Sequence, residues 1–406
     1  MRSIFSIDLL IFIPALLLSI IGIVGIYSTG FNTDYAIYQG MYLRQIVWVV
    51  LGLLLYFTVL LVPLRFHEVF AYVYYLAAIL LLVGIFIAGS GGATKAARWY
   101  DLGVFNFQPS EFAKLALVFA LARFLSYRKK RFPNAGSIII TVLLGIIPFA
   151  LIVRQPDLGT ALVFGVITMF MLYWAGLTLF QMFLFVSPFV SMTAASHPIP
   201  WGVYMVIFIA LLFITRTDLK ISLGITVVNI AFGILTPILW NRLHEYQKLR
   251  ILTFLDPGRD PRGAGYQIIQ SKIALGSGGL FGRGLGEGTQ TKLAYLPTQH
   301  TDFIYSVIGE EFGFLGAIVI LILLAVFISR GLMIAAKTRK GFLGLAAGGM
   351  IVIIAFQAVV NIGMTAGLMP VTGLPLPFVS YGGTSMLTFW IMAGLITAIN
   401  RDWRIY

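Results

Sequence analysis

The run LLIFIPALLLSIIGIVGIY, residues 9–27, carries no charged side chain and is long enough to cross the hydrocarbon core of a bilayer as an α-helix. It is too long for the apolar core of a signal peptide and lacks a small-residue cleavage site, so we interpret it as a retained first membrane span. Comparable runs recur along almost all of the 406 residues, of which 59% are hydrophobic and 11% are charged. Since a soluble domain could not bury that much apolar surface, the sequence predicts an all-α, polytopic transmembrane bundle.

Twelve membrane spans are predicted, within a single integral membrane domain that covers 1–406. Basic residues such as Arg65, Arg330 and Arg401 lie in or next to the short segments that flank the apolar runs. Because cytoplasmic hinges are enriched in Lys and Arg, an even number of spans with both termini in the cytoplasm satisfies this bias. The same distribution accounts for the net charge of +13 without a nucleic-acid partner. The predicted spans are 8–28, 44–63, 70–89, 111–127, 138–153, 158–176, 178–194, 200–215, 221–240, 303–329, 344–368 and 378–399.

Two connections, 90–110 and 241–302, are much longer than the others, and both face outward in this topology. The second contains eight Lys or Arg residues and five acidic residues, which opposes the usual charge bias of outer loops. An anionic ligand such as a lipid phosphate or pyrophosphate would explain the excess. The alternative is that long loops cross the membrane regardless of their charge. The chain has no cysteine, which excludes disulfides and thiolate metal sites.

Four ionisable residues lie at or near membrane depth. Glu111 and Lys114 are three residues apart at the start of an apolar helix, so they share a face and can form an ion pair. Such a pair either orients the helix or contributes to substrate binding. Arg154 and Asp157 separate two apolar runs at the outer side, where Asp157 either caps the next helix or lines a polar cavity together with its neighbours.

The segment Gln299–Asp302 ends the long loop and precedes an apolar helix that carries Glu310 and Glu311. This position would hold Asp302 at the outer membrane surface, with His300 nearby. Asp302 is therefore either a catalytic carboxylate or simply the N-cap of the helix. The spacing of these residues does not decide between the two.

Two glycine-rich stretches interrupt the pattern of spans. The first, 276–288, lacks the preceding strand of a nucleotide-binding fingerprint, so we predict flexible backbone that approaches a ligand or a wall of the bundle. The second, 363–385, also contains several prolines. Irregular backbone at membrane depth is tolerated where it is buried or lines a polar cavity, and a structural hairpin is the alternative.

Several long motifs in a fixed order, covering nearly the full length, resemble those of the SEDS proteins (shape, elongation, division and sporulation). Within this family the chain is similar to the RodA branch rather than to FtsW, because of the GTQ-x-K-L element and the Gln before His300. Thr298 and Tyr305 depart from the family pattern, in which Glu and Phe are expected. The motifs are Arg98-Trp99 with FQPSEFAK (107–114), QPDLGTA (155–161), LDPxxDPxGAGYQIIQSKIALGSGG (255–279), GTQTKLAYLP (288–297), HTDFIYSVIGEE (300–311), NIGM (361–364) and PLPFVSYGGTS (375–385).

The resemblance implies a peptidoglycan glycosyltransferase that polymerises lipid II into glycan strands during cell elongation. The essential loop carboxylate of the family corresponds to Asp302, and the ion pair of its helix corresponds to Glu111 and Lys114. The family usually has ten spans. The two additional spans fall between about 180 and 240, and we interpret them as an inserted helical pair that leaves the sidedness of the long loop unchanged.

The chemistry of such a reaction fits these residues. A sugar hydroxyl attacks only when a positioned base takes its proton, whereas a pyrophosphate leaves without a proton from an acid, so one carboxylate suffices. Displacement from an α-linked donor inverts the configuration and gives a β-linked product. A divalent cation, Mg²⁺ or Mn²⁺, would assist the leaving group, although no motif assigns its ligands. The residues predicted to bind substrate or support the site, besides the ion pair, are Arg98, Arg154, Asp157, Lys272, Arg283, His300 and Ser380.

The resemblance also predicts partners and location. We expect lipid II and polyprenyl pyrophosphate as ligands, a hydrophobic groove for the polyprenyl tail, a class B penicillin-binding protein, and other membrane proteins of the elongation complex. The location would be the bacterial inner membrane. Two other classes stay open: a lipid II flippase, which needs a continuous polar path through the bilayer, and a non-catalytic scaffold for a penicillin-binding protein, which leaves the long polar loop unexplained.

Overall fold

Long apolar stretches free of charge form helices because their backbone groups must bond internally in lipid. The structure, a computed structural model, describes 7–30, 40–89, 97–103, 105–128, 134–242, 248, 252–253, 256, 258, 260–261, 263, 265–293, 295–296, 298–338 and 341–403. The loop cations Arg250, Arg259 and Arg262 and the flanking tail from 404 onward lie outside the described residues.

The chain divides into two compact units, one formed by Met1–Ala175 with Asp260–Tyr406 and the other by Gly176–Arg259. The helices of the first unit are α1 Leu9–Gly30, α2 Met41–Leu61, α3 Leu64–Ala88, α4 Pro109–Arg128, α5 Ala135–Arg154, α6 Leu158–Ala175, α10 Tyr266–Ser277, α11 Thr289–Lys292, α12 Ile304–Glu311, α13 Gly313–Lys337, α14 Gly341–Thr365 and α15 Gly383–Trp403. Those of the second unit are α7 Leu179–Ala194, α8 Pro198–Ile214 and α9 Leu219–Arg242.

Nine helices in the described part of the chain are long and apolar enough to span a membrane, which together with the helical content makes this a polytopic helical membrane protein, as predicted. The predicted spans on α4, α7 and α8 are helical but not among the nine. The helix α4 carries Glu111, Lys114, Arg123 and Arg128, whereas α7 and α8 have 16 and 17 residues. The charged side chains of α4 and the short lengths of α7 and α8 thus distinguish these three helices from the nine.

The helix α14 lies at the centre of the first unit, where it packs against α4, α6 and α13. Small residues allow this close approach. A Cβ built on Gly341 would lie 3.3 Å from Cβ of Ser126, and one on Gly349 would lie 2.7 Å from Cγ1 of Val118. From Gly341 to Gly349 the residue number on α14 rises by eight, while the residue in contact on α4 falls by eight, from Ser126 to Val118. The two helices are therefore antiparallel.

The predicted span 303–329 is not one helix, which corrects that prediction. It is broken between α12 and α13 at Gly313, whose φ of +67° favours glycine. The glycine-rich turn packs into the break, because Arg283 N donates to Glu310 O at 3.0 Å and Phe314 N donates to Gly279 O at 2.9 Å. The stretch 276–288 therefore approaches a wall of the bundle, which was one of its two predicted roles.

A short pair of strands lies in the loop 90–110. Tyr100–Asp101 (β1) pairs with Asn106–Phe107 (β2) as a two-residue antiparallel ladder. The ladder leads directly into α4, and Thr384 Oγ1 of α15 donates to the carbonyl oxygen of Asn106 at 3.2 Å. The short strands thus fix the approach of the chain to Glu111.

The second unit is held together by a buried amide. Asn229 of α9 donates from Nδ2 to Ser187 Oγ of α7 at 2.9 Å, and its Oδ1 accepts from the hydroxyl of Tyr204 of α8 at 2.9 Å. Polar side chains that bond across helices stabilise packing inside a membrane. The three helices therefore form a bonded group of their own.

Candidate active site

The turn that carries Asp302 is fixed by hydrogen bonds from distant segments. The hydroxyl of Ser380 donates to the carbonyl oxygen of Thr301 at 2.6 Å, and Tyr381 N donates to His300 O at 3.0 Å. From α14, Asn361 Nδ2 donates to the carbonyl oxygen of Asp302 at 3.0 Å. The predicted residues His300, Asp302 and Ser380 are thereby brought together, and 363–385 serves as a bonded partner of the Asp302 turn.

Asp302 is not the N-cap of the following helix, so that alternative is wrong. Helix α12 begins at Ile304, and its N-cap is Phe303, which makes no side-chain capping bond. The carboxyl group points elsewhere: a Cβ on Gly373 would lie 3.7 Å from Asp302 Oδ2. The side chain is only partly exposed.

The surroundings of Asp302 favour its protonated form more than water does. Burial raises the pKa of Asp302 to about 6, the Asp157 carboxylate adds to the rise, and a hydrogen bond with Thr301 opposes it. Burial also lowers the pKa of His300 to about 4, so its imidazole is neutral at pH 7. A general base works best when its pKa lies near the operating pH, which Asp302 approaches.

Asp157 caps α6, as one of its two predicted roles required. Its Oδ1 accepts from Thr160 N at 3.1 Å and its Oδ2 accepts from Thr160 Oγ1 at 3.0 Å. Arg98 lies beside it, with Nη1 at 3.9 Å from Asp157 Oδ2 and Nε donating to Gln155 O at 3.2 Å. The capping role does not remove Asp157 from the site, because its charge acts on Asp302.

The turn at Thr372–Gly373 packs against both the N-terminus of α6 and Asp302. A Cβ on Gly159, in the first turn of α6, would lie 2.2 Å from the carbonyl oxygen of Thr372. The next residue, Gly373, has a φ of +72° and borders Asp302 Oδ2. The peptide dipoles of α6 favour negative charge at its N-terminus, so the space beside this turn is suited to an anion.

Lys272 lies at the other end of the same loop. It is an exposed residue of α10, and a Cβ on Gly367 would lie 2.7 Å from its Nζ. Gly367 and Gly373 both belong to the loop that connects α14 with α15. Lys272 and Asp302 therefore contact two points of one loop, and the lysine is a cation available to a ligand there.

Arg283 and Arg154 are not brought to the Asp302 turn by any described contact. Arg283 Nε donates to Ser277 O at 3.2 Å and its Nη1 donates to Thr289 Oγ1 at 3.0 Å, so this side chain braces the glycine-rich turn. The Arg154 guanidinium lies 5.6 Å from the ring centroid of Phe86. Both have structural contacts that their position in the sequence does not reveal.

Glu111 and Lys114 form the predicted ion pair on α4. Lys114 Nζ lies 2.8 Å from Glu111 Oε1, and the side chains are 1% and 3% exposed. Glu111 Oε2 is buried and has no hydrogen-bond partner among the described residues. The pair thus exists at membrane depth, and both predicted roles, orientation of α4 and substrate binding, stay open.

Two buried carboxylates were not predicted as site residues. Glu310 accepts bonds from Gln290 N at 2.9 Å and Thr291 N at 3.1 Å, and Glu311 accepts from Gly286 N at 3.3 Å and from the hydroxyl of Ser28. They hold the glycine-rich turn and α11 against the bundle. Two adjacent acids within an apolar helix, following a glycine-rich loop, are the sequence signal for such an anchor.

An apolar groove of about 450 Å³ runs between α3, α4 and α15. One end is bordered by Phe107 and Pro109, where the β1–β2 ladder enters α4, and His67 lines the other end. Its walls are otherwise formed by Tyr74, Ala77, Ala78, Leu81, Phe112, Leu115, Ala116, Phe119, Ile391 and Leu395.

Within the described ranges, no group of three or more His, Asp or Glu side chains is arranged to hold a metal ion. Mg²⁺ is often bound by one or two carboxylates together with substrate phosphates. The Asp157 charge acts on Asp302, but both Asp157 oxygens accept bonds from Thr160, and no described contact assigns the two carboxylates to one ion.

The sequence has relatives along its whole length. Residues 8–201 and 200–405 match the family model described as cell cycle protein, FtsW/RodA/SpoVE. The chain is 38% identical to the peptidoglycan glycosyltransferase MrdB of Escherichia coli (strain K12), over 89% of this chain and 86% of that protein. It is 36% identical to the peptidoglycan glycosyltransferase RodA of Treponema pallidum (strain Nichols), with 98% of both chains covered.

Solved structures of related proteins have the same fold. A chain from a peptidoglycan synthase complex that coordinates polymerization and crosslinking superposes with a TM-score of 0.71 at 29% identity, over 98% of both chains. The Rod shape determining protein RodA of Thermus thermophilus gives a TM-score of 0.64 at 26% identity, again over 98% of both chains. The chain therefore belongs to the FtsW, RodA and SpoVE family, the SEDS family that its motifs resemble.

Proposed function

We propose that this protein polymerises lipid II into peptidoglycan glycan strands during cell elongation, with Asp302 as the general base. The observation that carries the proposal is the Asp302 carboxyl group itself. It is not the N-cap of α12, it lies in a turn held by three hydrogen bonds, and burial raises its pKa to about 6. The named activity of the relatives supports the same reaction.

In this reaction the 4-hydroxyl oxygen of the acceptor sugar attacks the anomeric carbon of the donor. A bond forms between these two atoms while the bond from the anomeric carbon to the pyrophosphate oxygen breaks. Asp302 takes the hydroxyl proton during the attack, and the electron pair leaves with undecaprenyl pyrophosphate. Attack opposite the leaving group inverts the anomeric configuration, and the leaving group needs no acid.

Lys272, Arg98 and the N-terminus of α6 are the groups placed to stabilise the pyrophosphate. Lys272 borders the loop at Gly367 and Gly159 of α6 borders it at Thr372, whereas Arg98 lies 3.9 Å from Asp157 at the N-terminus of α6. Fixed charges and dipoles that face developing negative charge lower the barrier of such a step. If Mg²⁺ or Mn²⁺ takes part, it would be held mainly by the substrate phosphates and would add positive charge near them.

The groove between α3, α4 and α15 supports a site for the polyprenyl tail. It is lined along α3 from His67 to Leu81, a rise of roughly 21 Å at 1.5 Å per residue. Its lining is almost entirely apolar, and the Phe107 end lies beside the start of α4, where Glu111 is located. A lipid tail in this groove would direct its head group toward that end.

The resemblance extends the proposal to partners and location. We infer a bacterial inner-membrane protein with both termini in the cytoplasm, working with a class B penicillin-binding protein and other membrane proteins of the elongation complex. The charge distribution between spans supports this orientation. The similarity to a chain of a peptidoglycan synthase complex supports a crosslinking partner.

The test is polymerisation of labelled lipid II by the purified protein with its cognate penicillin-binding protein, whose transpeptidase is blocked. Asp302→Asn should abolish glycan strands because an amide cannot accept the proton. Asp218→Asn is the matched control, since Asp218 Oδ1 accepts from Lys220 N at 2.9 Å at the start of α9 and an Asn oxygen can do the same. Strands from a folded Asp302→Asn protein would remove Asp302 from the mechanism, and none from wild type would favour the flippase.

A further inference from the structure

The interior face of α14 carries three polar side chains at intervals of four residues. They are Gln357, Asn361 and Thr365, each 0% exposed, whereas Val359 on the opposite side of the helix is 56% exposed. Residues four apart share one face of an α-helix. Polar side chains at this depth are costly, and those that occur usually have a structural or functional role. We call these three residues the polar face of α14.

The middle residue of this face bonds to the Asp302 turn. Asn361 Nδ2 donates one hydrogen bond to the carbonyl oxygen of Asp302 at 3.0 Å and another to that of Leu374 at 2.8 Å. Both N–H groups of the amide are thus used, and they hold two segments that are far apart in sequence. Leu374 directly follows Gly373, which borders the Asp302 carboxyl group.

The last residue of the polar face bonds to α10. The carbonyl oxygen of Thr365 accepts from Ser271 Oγ at 2.7 Å. Lys272, the cation placed near the loop from Gly367, is the next residue of the same helix. The last turns of α14 therefore bond both to the turn that carries the proposed base and to the helix that carries a proposed phosphate-binding lysine.

The first residue reaches the depth of the ion pair. The helices α4 and α14 are antiparallel, and Gly349 lies level with Val118. Eight residues further along α14, Gln357 therefore lies level with Ser110, the residue before Glu111. The amide atoms of Gln357 and Oε2 of Glu111 are buried without hydrogen-bond partners among the described residues. Buried polar atoms of this kind are usually bridged by ordered water, which would extend the polar face to the ion pair.

We propose that Asn361 is a positioning residue for Asp302, which sets the distance between the aspartate and the turn at Thr372–Gly373. This inference rests on the proposed function. Among the described residues, the side-chain hydrogen bonds of Asn361 go to the peptide carbonyls of Asp302 and Leu374, so Asn361 acts through Asp302 and not on the substrate. Without its amide, the carbonyl oxygens of Asp302 and Leu374 lose their common donor, and the two segments can separate.

The experiment compares Asn361→Ala and Asn361→Asp with wild type in lipid II polymerisation. A displaced base slows the chemical step but leaves binding intact, so kcat should fall about 10- to 100-fold while KM stays within about threefold. The acid limb of the pH–rate profile should also move to lower pH, because a released turn exposes Asp302 to water. Asn361→Asp keeps the shape of the side chain but removes the two N–H groups that bond Asp302 and Leu374. It is the variant to test if Asn361→Ala folds poorly.

Asn229→Ala is the matched control, because Asn229 is also a buried amide whose Nδ2 bonds two groups, but it lies in the unit Gly176–Arg259. It should lower the melting temperature without changing kcat or the acid limb. Folded Asn361 variants with wild-type kcat and an unmoved acid limb would overturn the inference. If Asp302→Asn is inactive in the same assay, only the inference fails, whereas an active Asp302→Asn protein refutes the proposed function itself.

Discussion

Removing one partner of the Glu111–Lys114 pair should destabilise the protein strongly, whereas removing both should not. The two groups are 2.8 Å apart and their side chains are 3% and 1% exposed, so either charge left alone would be buried without its partner. Breaking a buried pair in this way costs about 3–5 kcal/mol, whereas replacing both groups by apolar side chains of similar volume is often neutral or stabilising. Lys114→Met and Glu111→Met are therefore the single variants, and the third variant combines them.

The assay is thermal unfolding in detergent, followed by polymerisation of lipid II by each variant that folds. A loss of 3–5 kcal/mol corresponds to a decrease in melting temperature of roughly 5 °C or more for a chain of this size. The double variant should recover most of this loss, because no unpaired charge remains. A single variant as stable as wild type, or a double variant as unstable as the singles, would refute the reasoning.

The activity of the double variant decides between the two roles that the sequence left open for the pair. If the pair only orients α4, the double variant regains polymerisation together with stability. If the charges bind substrate, the double variant is stable and inactive. Glu111 Oε2, which has no hydrogen-bond partner among the described residues, is the atom that such a substrate contact would use.

Three further predictions follow from the site. Since the Asp302 pKa of about 6 belongs to a base that must be ionised, kcat/KM should fall about tenfold per pH unit below pH 6, and a flat profile from pH 7 to 5 would exclude this role. Lys272→Ala should raise KM for lipid II by about tenfold, which corresponds to the loss of one charge-assisted hydrogen bond. Arg283→Ala should lower the melting temperature and have little effect on KM. A larger rise in KM for Arg283→Ala than for Lys272→Ala would contradict the assigned contacts. Gly373→Ala strains a backbone with a φ of +72° in the turn beside Asp302, so a shift of this turn should lower kcat. Gly103→Ala is the control, because it imposes a similar strain at a φ of +76° in the loop between β1 and β2 and should leave kcat unchanged.

Features with a local cause were predictable from the sequence. Asp157 caps α6 because a carboxylate can bond the backbone N–H three residues later, which depends only on spacing along the chain. The Glu111–Lys114 pair follows from the same logic, since residues three apart on a helix are neighbours. Arg283 shows the limit of this reasoning: the sequence predicted that it binds substrate or supports the site, and only the structure shows its bonds to Ser277 and Thr289.

Recognition of the motifs placed Asp302 at the site, but its surroundings required the fold. Spacing alone left an N-cap role open for Asp302, and only the start of α12 at Ile304 excluded it. Glu310 and Glu311 were noted as acids near the end of the loop, yet their bonds to the glycine-rich turn depend on how that turn folds back on α12.

That this chain spans a membrane many times was predictable from the sequence alone, because the length and apolarity of a span are properties of one continuous segment. Tertiary structure alone decided which distant groups meet. Asn361 bonds to the carbonyl oxygens of Asp302 and Leu374, and Gly159 contacts Thr372, because helices of opposite direction pack at particular depths. Such depths are set by small residues at helix contacts and by the break at Gly313, which act between segments and leave no periodic signal along the chain.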